Sequence, residues 1–299
     1  MTTDAIKPID EQPTKSRRRW FRFSLRSMLL LVVVIAIPLA WKVNRARNQR
    51  AVVAELRKLN AQIDYYHGYE HYYEMEATKG VQRFVPPPGG KWLHDLLGRE
   101  YFVEVIQVTV DGPQVTDDTL ALIAKLPYVK YVSLNSATGI TDIGLAHLAR
   151  MHNLEGVTLF SNRITDTGVV HLTGLTQLKI LWAGGWITDS SLEHISKLEG
   201  LERLKIDGAT RITDRGLAQI AKLDNLQRLH LGGGAKSSAN PQDYTRITDG
   251  GLVTLYGLKN LEFLSLNTTE VSQAGIDKLK ESLPNCKIEW NHKDPSDKR

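Results

Sequence analysis

Two histidines four residues apart flank a glutamate in His67-Gly68-Tyr69-Glu70-His71. On a helix that spacing puts both imidazoles on one face, where they could hold zinc while the carboxylate serves as base. The surroundings argue against it. Gly68 interrupts the segment, Tyr65, Tyr66, Tyr69, Tyr72 and Tyr73 give it a strand tendency, and no downstream helix offers a third ligand. Zinc hydrolysis through His67 and His71 therefore stays a remote alternative, and neither a catalytic residue nor a metal or other cofactor is expected.

Other candidates are weaker. His147, His171 and His194 recur at one position of a repeating pattern, as a metal or pH-sensing ladder would require. Gln219, Thr254 and Lys278 take that place later, so a solvated helix face explains the column as well. Gly232-Gly233-Gly234-Ala235-Lys236-Ser237 resembles a phosphate loop, but Ala235 and His230 stand where the required glycines belong. Cys286 is the single cysteine, so no internal disulfide exists, and no Ser/His/Asp or Cys/His set emerges.

The elements that must carry these residues announce themselves by repetition. Val115-Thr116-Asp117, Ile140-Thr141-Asp142, Ile164-Thr165-Asp166, Ile187-Thr188-Asp189, Ile212-Thr213-Asp214, Ile247-Thr248-Asp249 and the altered Val271-Ser272-Gln273 follow one another at 25, 24, 23, 25, 35 and 24 residues. A fixed period in this range marks a solenoid. After each phrase, apolar residues such as Leu145, Leu148 and Ala149 fall at helical spacing. The period then drops to two, as in Leu154/Val157/Leu159 and Leu201/Leu204/Ile206, which reads as a strand. An opening strand is expected at Val105/Val108/Val110 and a closing one at Ile288/Trp290. Each Asp should cap the helix that it begins, an account preferred to a calcium ladder. Gly144, Gly168, Gly216, Gly251 and Gly275 should permit close helix–strand packing.

L-x-x-L-x-L followed by I-T-D-x-G-L resembles the leucine-rich repeat, in the subfamily shared by bacterial and F-box-associated proteins. The resemblance covers residues 103–290 and implies an α/β solenoid, right-handed, with parallel strands on a concave face and helices on the convex one. The usual Asn or Cys after the strand is mostly missing and no F-box-like segment precedes the repeats, so a ubiquitin-ligase role is not implied.

The amino terminus reads as a membrane anchor. Residues 28–41, MLLLVVVIAIPLAW, carry no charge. As a helix they reach only about 21 Å, against a hydrocarbon core of about 30 Å. Extension back to Phe21 makes a single transmembrane helix possible, with Arg22 and Arg26 snorkelling and Trp20, Phe21, Phe23 and Trp41 at the edges. A cleaved signal peptide competes, but Pro38 spoils the cleavage site at Ala40, and Ser16–Phe21 only loosely matches a twin-arginine signal. The block RRRWFRFSLRSMLLLVVV also resembles leaders of membrane-anchored repeat proteins of planctomycete-type bacteria. Seven Lys/Arg precede Met28 and six follow Trp41 closely, which favours a cytoplasmic amino terminus and an extracytoplasmic repeat domain.

Charge is partitioned accordingly. Residues 1–62 hold 13 basic and 4 acidic groups, net +9, and the rest hold 25 and 29, net −4. The basic balance therefore points to anionic lipid and not to nucleic acid. The expected order is a basic tail over 1–27, the anchor over 28–41, and a juxtamembrane helix with a cap over 42–102. The helix should run from about Val43 to Asn60, and Pro86-Pro87-Pro88-Gly89-Gly90 should break the chain before Lys91–Leu97. The repeats then fill 103–290, and 291–299 is a polar tail.

Residues alternating with the buried strand positions should face the concave side. Tyr131, Phe160 and Trp182 make its centre aromatic, Arg203, Lys205, Arg228 and His230 make the next two repeats basic, and Phe263 follows. Aromatics and arginine dominate binding hot spots. The long interval before Ile247 reflects an insertion, so Lys236, Asp243 and Tyr244 are candidates for a recognition loop. The expected function is capture of a protein, peptide or glycan on the concave face, without catalysis. A structural element of the cell envelope is the alternative.

Overall fold

The computed structural model describes residues 25–65, 103–208, 211–232, 246–267 and 269–290. The chain divides into two compact units, Met1–Asn44 and Arg45–Arg299. Helix α1, Leu25–Lys58, contributes to both. The helix expected from about Val43 is thus not a separate element: the apolar stretch before it belongs to the same helix, Pro38 included. In the first unit the apolar residues are exposed, Leu30 and Ile37 at 66% each, and the helix is long and apolar enough to cross a membrane.

In the second unit α1 turns amphipathic, burying Ala46, Val52, Val53 and Leu56. It ends at Lys58, and just beyond it Asn60, with a φ of 57°, takes the left-handed conformation that lets Ala61 N–H reach back to Leu56 C=O at 3.2 Å. Strand β1, Gln62–Tyr65, then lies antiparallel to β2, Val105–Asp111. Gln49, buried on α1, donates to Val103 C=O at 2.9 Å, and Arg45 pairs with Glu104 while its guanidinium sits 4.0 Å from the Tyr128 ring centre. Residues 45–65 therefore close the end of the first turn, as a solenoid cap must. The His67–His71 motif, the proline break and Lys91–Leu97 lie outside the described residues.

From β2 the strands pair in parallel and in sequence order: β3 Tyr131–Asn135, β4 Gly156–Thr165, β5 Ile180–Trp186, β6 Arg203–Asp207, β7 Arg228–Gly232, β8 Phe263–Ser265 and β9 Lys287–Glu289. The closing strand stops one residue short of Trp290. Short helices return the chain along the other side of the core, at Asp117–Ile123, Asp142–Leu148, Asp166–Val169, Asp189–Ile195, Asp214–Ile220, Asp249–Leu252 and Gln273–Ser282. Leu204 and Ile206, Leu229 and Leu231, and their equivalents from Val108 to Leu266 are at most 3% exposed, packed against the buried faces of those helices. One full residue set per turn is thereby removed from water, the main favourable term in such a fold.

The recurring phrase works differently from the expectation that each Asp caps its own helix. The cap is the threonine: Thr141 Oγ accepts from Ile143 N–H at 3.3 Å, and Thr213 Oγ from Arg215 N–H at 3.2 Å. The carboxylate reaches the next turn instead. Asp117 accepts from Thr141 N–H at 2.8 Å and Thr141 Oγ–H at 2.7 Å. The pattern recurs from Asp142 to Thr165, Asp166 to Thr188, Asp189 to Thr213, Asp214 to Thr248 and Asp249 to Ser272. Burial raises the pKa of Asp142, but donors from Thr165, Thr167 and the Gly168 backbone outweigh it and hold the carboxyl below its usual value. Asp166 behaves alike, with Ser191 and Thr188 as donors.

This ladder also explains the glycines, whose role is not the helix–strand packing anticipated from sequence. A Cβ on Gly168, Gly251 or Gly275 would stand 2.2 Å from the carboxylate oxygen of the preceding turn's Asp. Where a carboxylate precedes but the glycine is replaced by serine, Ser191 donates its hydroxyl to Asp166. The first turn has no preceding carboxylate, and there Thr116 N–H is taken by Thr119 Oγ at 3.2 Å.

Candidate functional site

The face of the sheet away from the helices carries the alternate residues of each strand. Register places them in rows: Gln107, Tyr131, Gly156, Ile180, Arg203, Arg228, Phe263 and Lys287 form one, and Thr109, Ser133, Thr158, Trp182, Lys205, His230, Ser265 and Glu289 the next. Seven of the eight proposed face residues have described side chains and all seven lie in these two rows. Phe160 is in β4, paired through its backbone with Gly184, and its side chain is outside the described residues.

Within the rows the side chains are organised by their neighbours. The Tyr131 ring occupies the space above Gly156, where an added Cβ would meet it at 2.6 Å. Its hydroxyl donates to Glu155 Oε2 at 3.2 Å, and Glu155 pairs with Lys130 at 2.7 Å and Lys179 at 3.8 Å. Tyr131 is thus held flat by a charged row at the start of the strands. Trp182 is half-buried, with the Lys205 ammonium 5.7 Å from its ring centre. His230 lies against Phe263 with centroids 4.7 Å apart, and Lys287 stands 5.6 Å from the Phe263 ring centre. Arg228 is exposed and Arg203 half-buried. Aromatic and cationic side chains are thus concentrated from β5 to β9, with Tyr131 set apart from them across Gly156 and Ile180.

Lys236, Asp243 and Tyr244 lie outside the described residues. His147 and His194 are half-buried and His171 exposed on the helical side, and His194 Nδ1 is buried without a hydrogen-bond partner. Among the described residues no group of three His, Cys, Asp or Glu could hold a metal ion. Burial pushes the Cys286 thiol up to about 11, which keeps it protonated and unreactive near neutrality. At the start of the strands Lys179, Glu202, Gln227 and Glu262 line an open polar groove of about 540 Å3.

One feature of the surface was missed by sequence reasoning. Trp186, at the end of β5, is 53% exposed, and the Arg211 guanidinium lies 4.1 Å from its ring centre. The signal was available: both directly precede the buried isoleucine of the repeating phrase, outside the strand positions where a binding surface is usually sought.

The parallel strands stacked in sequence order, with short helices behind them, resemble a leucine-rich repeat solenoid. No protein-family model and no curated protein sequence matches the chain. Among solved structures it is similar to internalin C2 of Listeria monocytogenes, at 18% identity over 62% of this chain and 81% of that one, with a TM-score of 0.45. It is also similar to a structure of the yeast Rad7 and Elc1 complex, at 20% identity over 68% of each chain and a TM-score of 0.37. A third is a protein of Bacteroides fragilis, at 17% identity over 64% of this chain and 66% of that one, with a TM-score of 0.39.

Proposed function

We propose that the protein is a membrane-anchored binding module that captures a protein or peptide on the open face of its sheet. The observation that carries this reading is the surface formed by Trp182, Lys205, Arg203, Arg228, His230 and Phe263, on which no described element packs. A sheet face of aromatic and cationic side chains is of the composition that binding hot spots use, and a solenoid offers it as one extended surface. The exposed apolar stretch of α1 supports anchoring, because side chains such as Leu30, Val34 and Ile37 stand open and suit hydrocarbon. The slight excess of Lys/Arg ahead of Met28 supports an extracytoplasmic repeat domain.

The test is crosslinking capture from native membranes by the full-length chain. Trp182→Ala with Arg203→Ala should abolish capture and leave the melting temperature within a few degrees, since neither residue contributes to the apolar core. Undiminished capture by this double variant would remove the open face from consideration. Protease accessibility on intact cells tests the side: cleavage of the repeats from outside is expected, and full protection would reverse the orientation.

A further inference from the structure

Trp186 and Arg211 belong to a longer row. The residue preceding the buried Val or Ile of each phrase is Gln114, Gly139, Arg163, Trp186, Arg211, Arg246 and Glu270 in turn. Arg163, Trp186, Arg211 and Arg246 are all exposed. Backbone pairing of Thr165 with Trp186 and of Thr213 with Arg246 shows that the turns remain stacked at this rim, where the strands end or have just ended. Neighbouring turns lie about 5 Å apart, so the four side chains span roughly 15 Å. The nearby carboxylates of Asp166, Asp189 and Asp214 are engaged by threonine donors of the next turn.

We infer that this rim, Arg163–Trp186–Arg211–Arg246, docks an acidic polypeptide segment in extended conformation. Two features select that occupant. Three guanidiniums in one row match carboxylates, to which arginine can donate two parallel hydrogen bonds. The exposed indole between them offers an apolar surface that suits an aliphatic or aromatic side chain of a polypeptide. An extended segment places alternate side chains about 7 Å apart, so carboxylates two residues apart can reach guanidiniums on different turns. Arg211 stacked on Trp186 is pre-ordered for the contact, which lowers the entropy lost on binding. The inference concerns residues apart from the two face rows and does not depend on binding there.

The experiment uses the full chain in detergent and a fluorescein-labelled ten-residue peptide alternating glutamate and leucine, read by anisotropy at physiological salt. Saturable binding is expected, weakened at least about tenfold by Arg211→Glu and also weakened by Trp186→Ala, in the range of hot-spot truncations. Arg215→Glu, on the helical side, should leave affinity unchanged. The inference fails if the peptide does not bind, or if Arg215→Glu weakens binding as much as Arg211→Glu. It also fails if inorganic polyphosphate competes while Trp186→Ala has no effect, because the rim would then be a general polyanion surface. Loss of peptide binding only in the Trp182 and Arg203 variant would assign the peptide to the sheet face instead.

Discussion

Asp249 and Gly275 act as one unit across two turns. The carboxylate accepts from Ser272 N–H at 2.8 Å and Ser272 Oγ–H at 2.5 Å, and the missing Cβ of Gly275 makes room for it. All three atoms nearest to a Cβ placed at Gly275 belong to Asp249. Gly275→Ala should therefore cost about 2 kcal/mol or more through overpacking. Asp249→Ala should cost about 2–3 kcal/mol, since the half-buried donors of Ser272 lose a charged acceptor. The double variant should be less destabilised than the two singles together by at least about 1 kcal/mol, because the alanine methyl enters space the carboxylate has vacated. Denaturant unfolding of the three variants measures this, and strict additivity would mean that the glycine serves some other contact.

At the scale of elements, the strands and helices could be read from sequence because their periods are local: Leu204 and Ile206 are two apart, and Leu145 and Leu148 three. The destination of each Asp could not, since Asp142 and Thr165 are remote in sequence and only stacking brings them within 2.6 Å. The same holds for the face, where alternation predicted the rows but not that Lys205 would lie over Trp182 or that Tyr131 would fold over Gly156. The cap shows how local stability is in such a fold. Gln49→Leu would keep the volume but leave Val103 C=O without its buried donor, costing about 1–3 kcal/mol. Because each turn contacts only its neighbours, hydrogen exchange should accelerate in β2 while β7 stays protected. Uniform acceleration through the sheet would show that the repeats melt as a single unit.

For the molecule as a whole, the 35-residue interval between Ile212 and Ile247 tests how far function is separated from scaffold. The staple crosses it unaltered: Asp214 accepts from Thr248 N–H at 2.8 Å and Oγ–H at 2.6 Å, matching the turns of ordinary length. Ile247 is fully buried like its equivalents, and β7 pairs with β8 in the common register. Solenoid stability should therefore not depend on the extra residues, in line with the tolerance of surface loops to length. Removing 235–244, which contains Lys236, Asp243 and Tyr244, restores a 25-residue interval. The shortened chain should melt within a few degrees of the parent. If the segment is a recognition loop, capture from native membranes falls even though the sheet face and the arginine rim are intact. A large drop in melting temperature would instead make the insertion part of the scaffold, and unchanged capture would leave binding to the two rows and the rim alone.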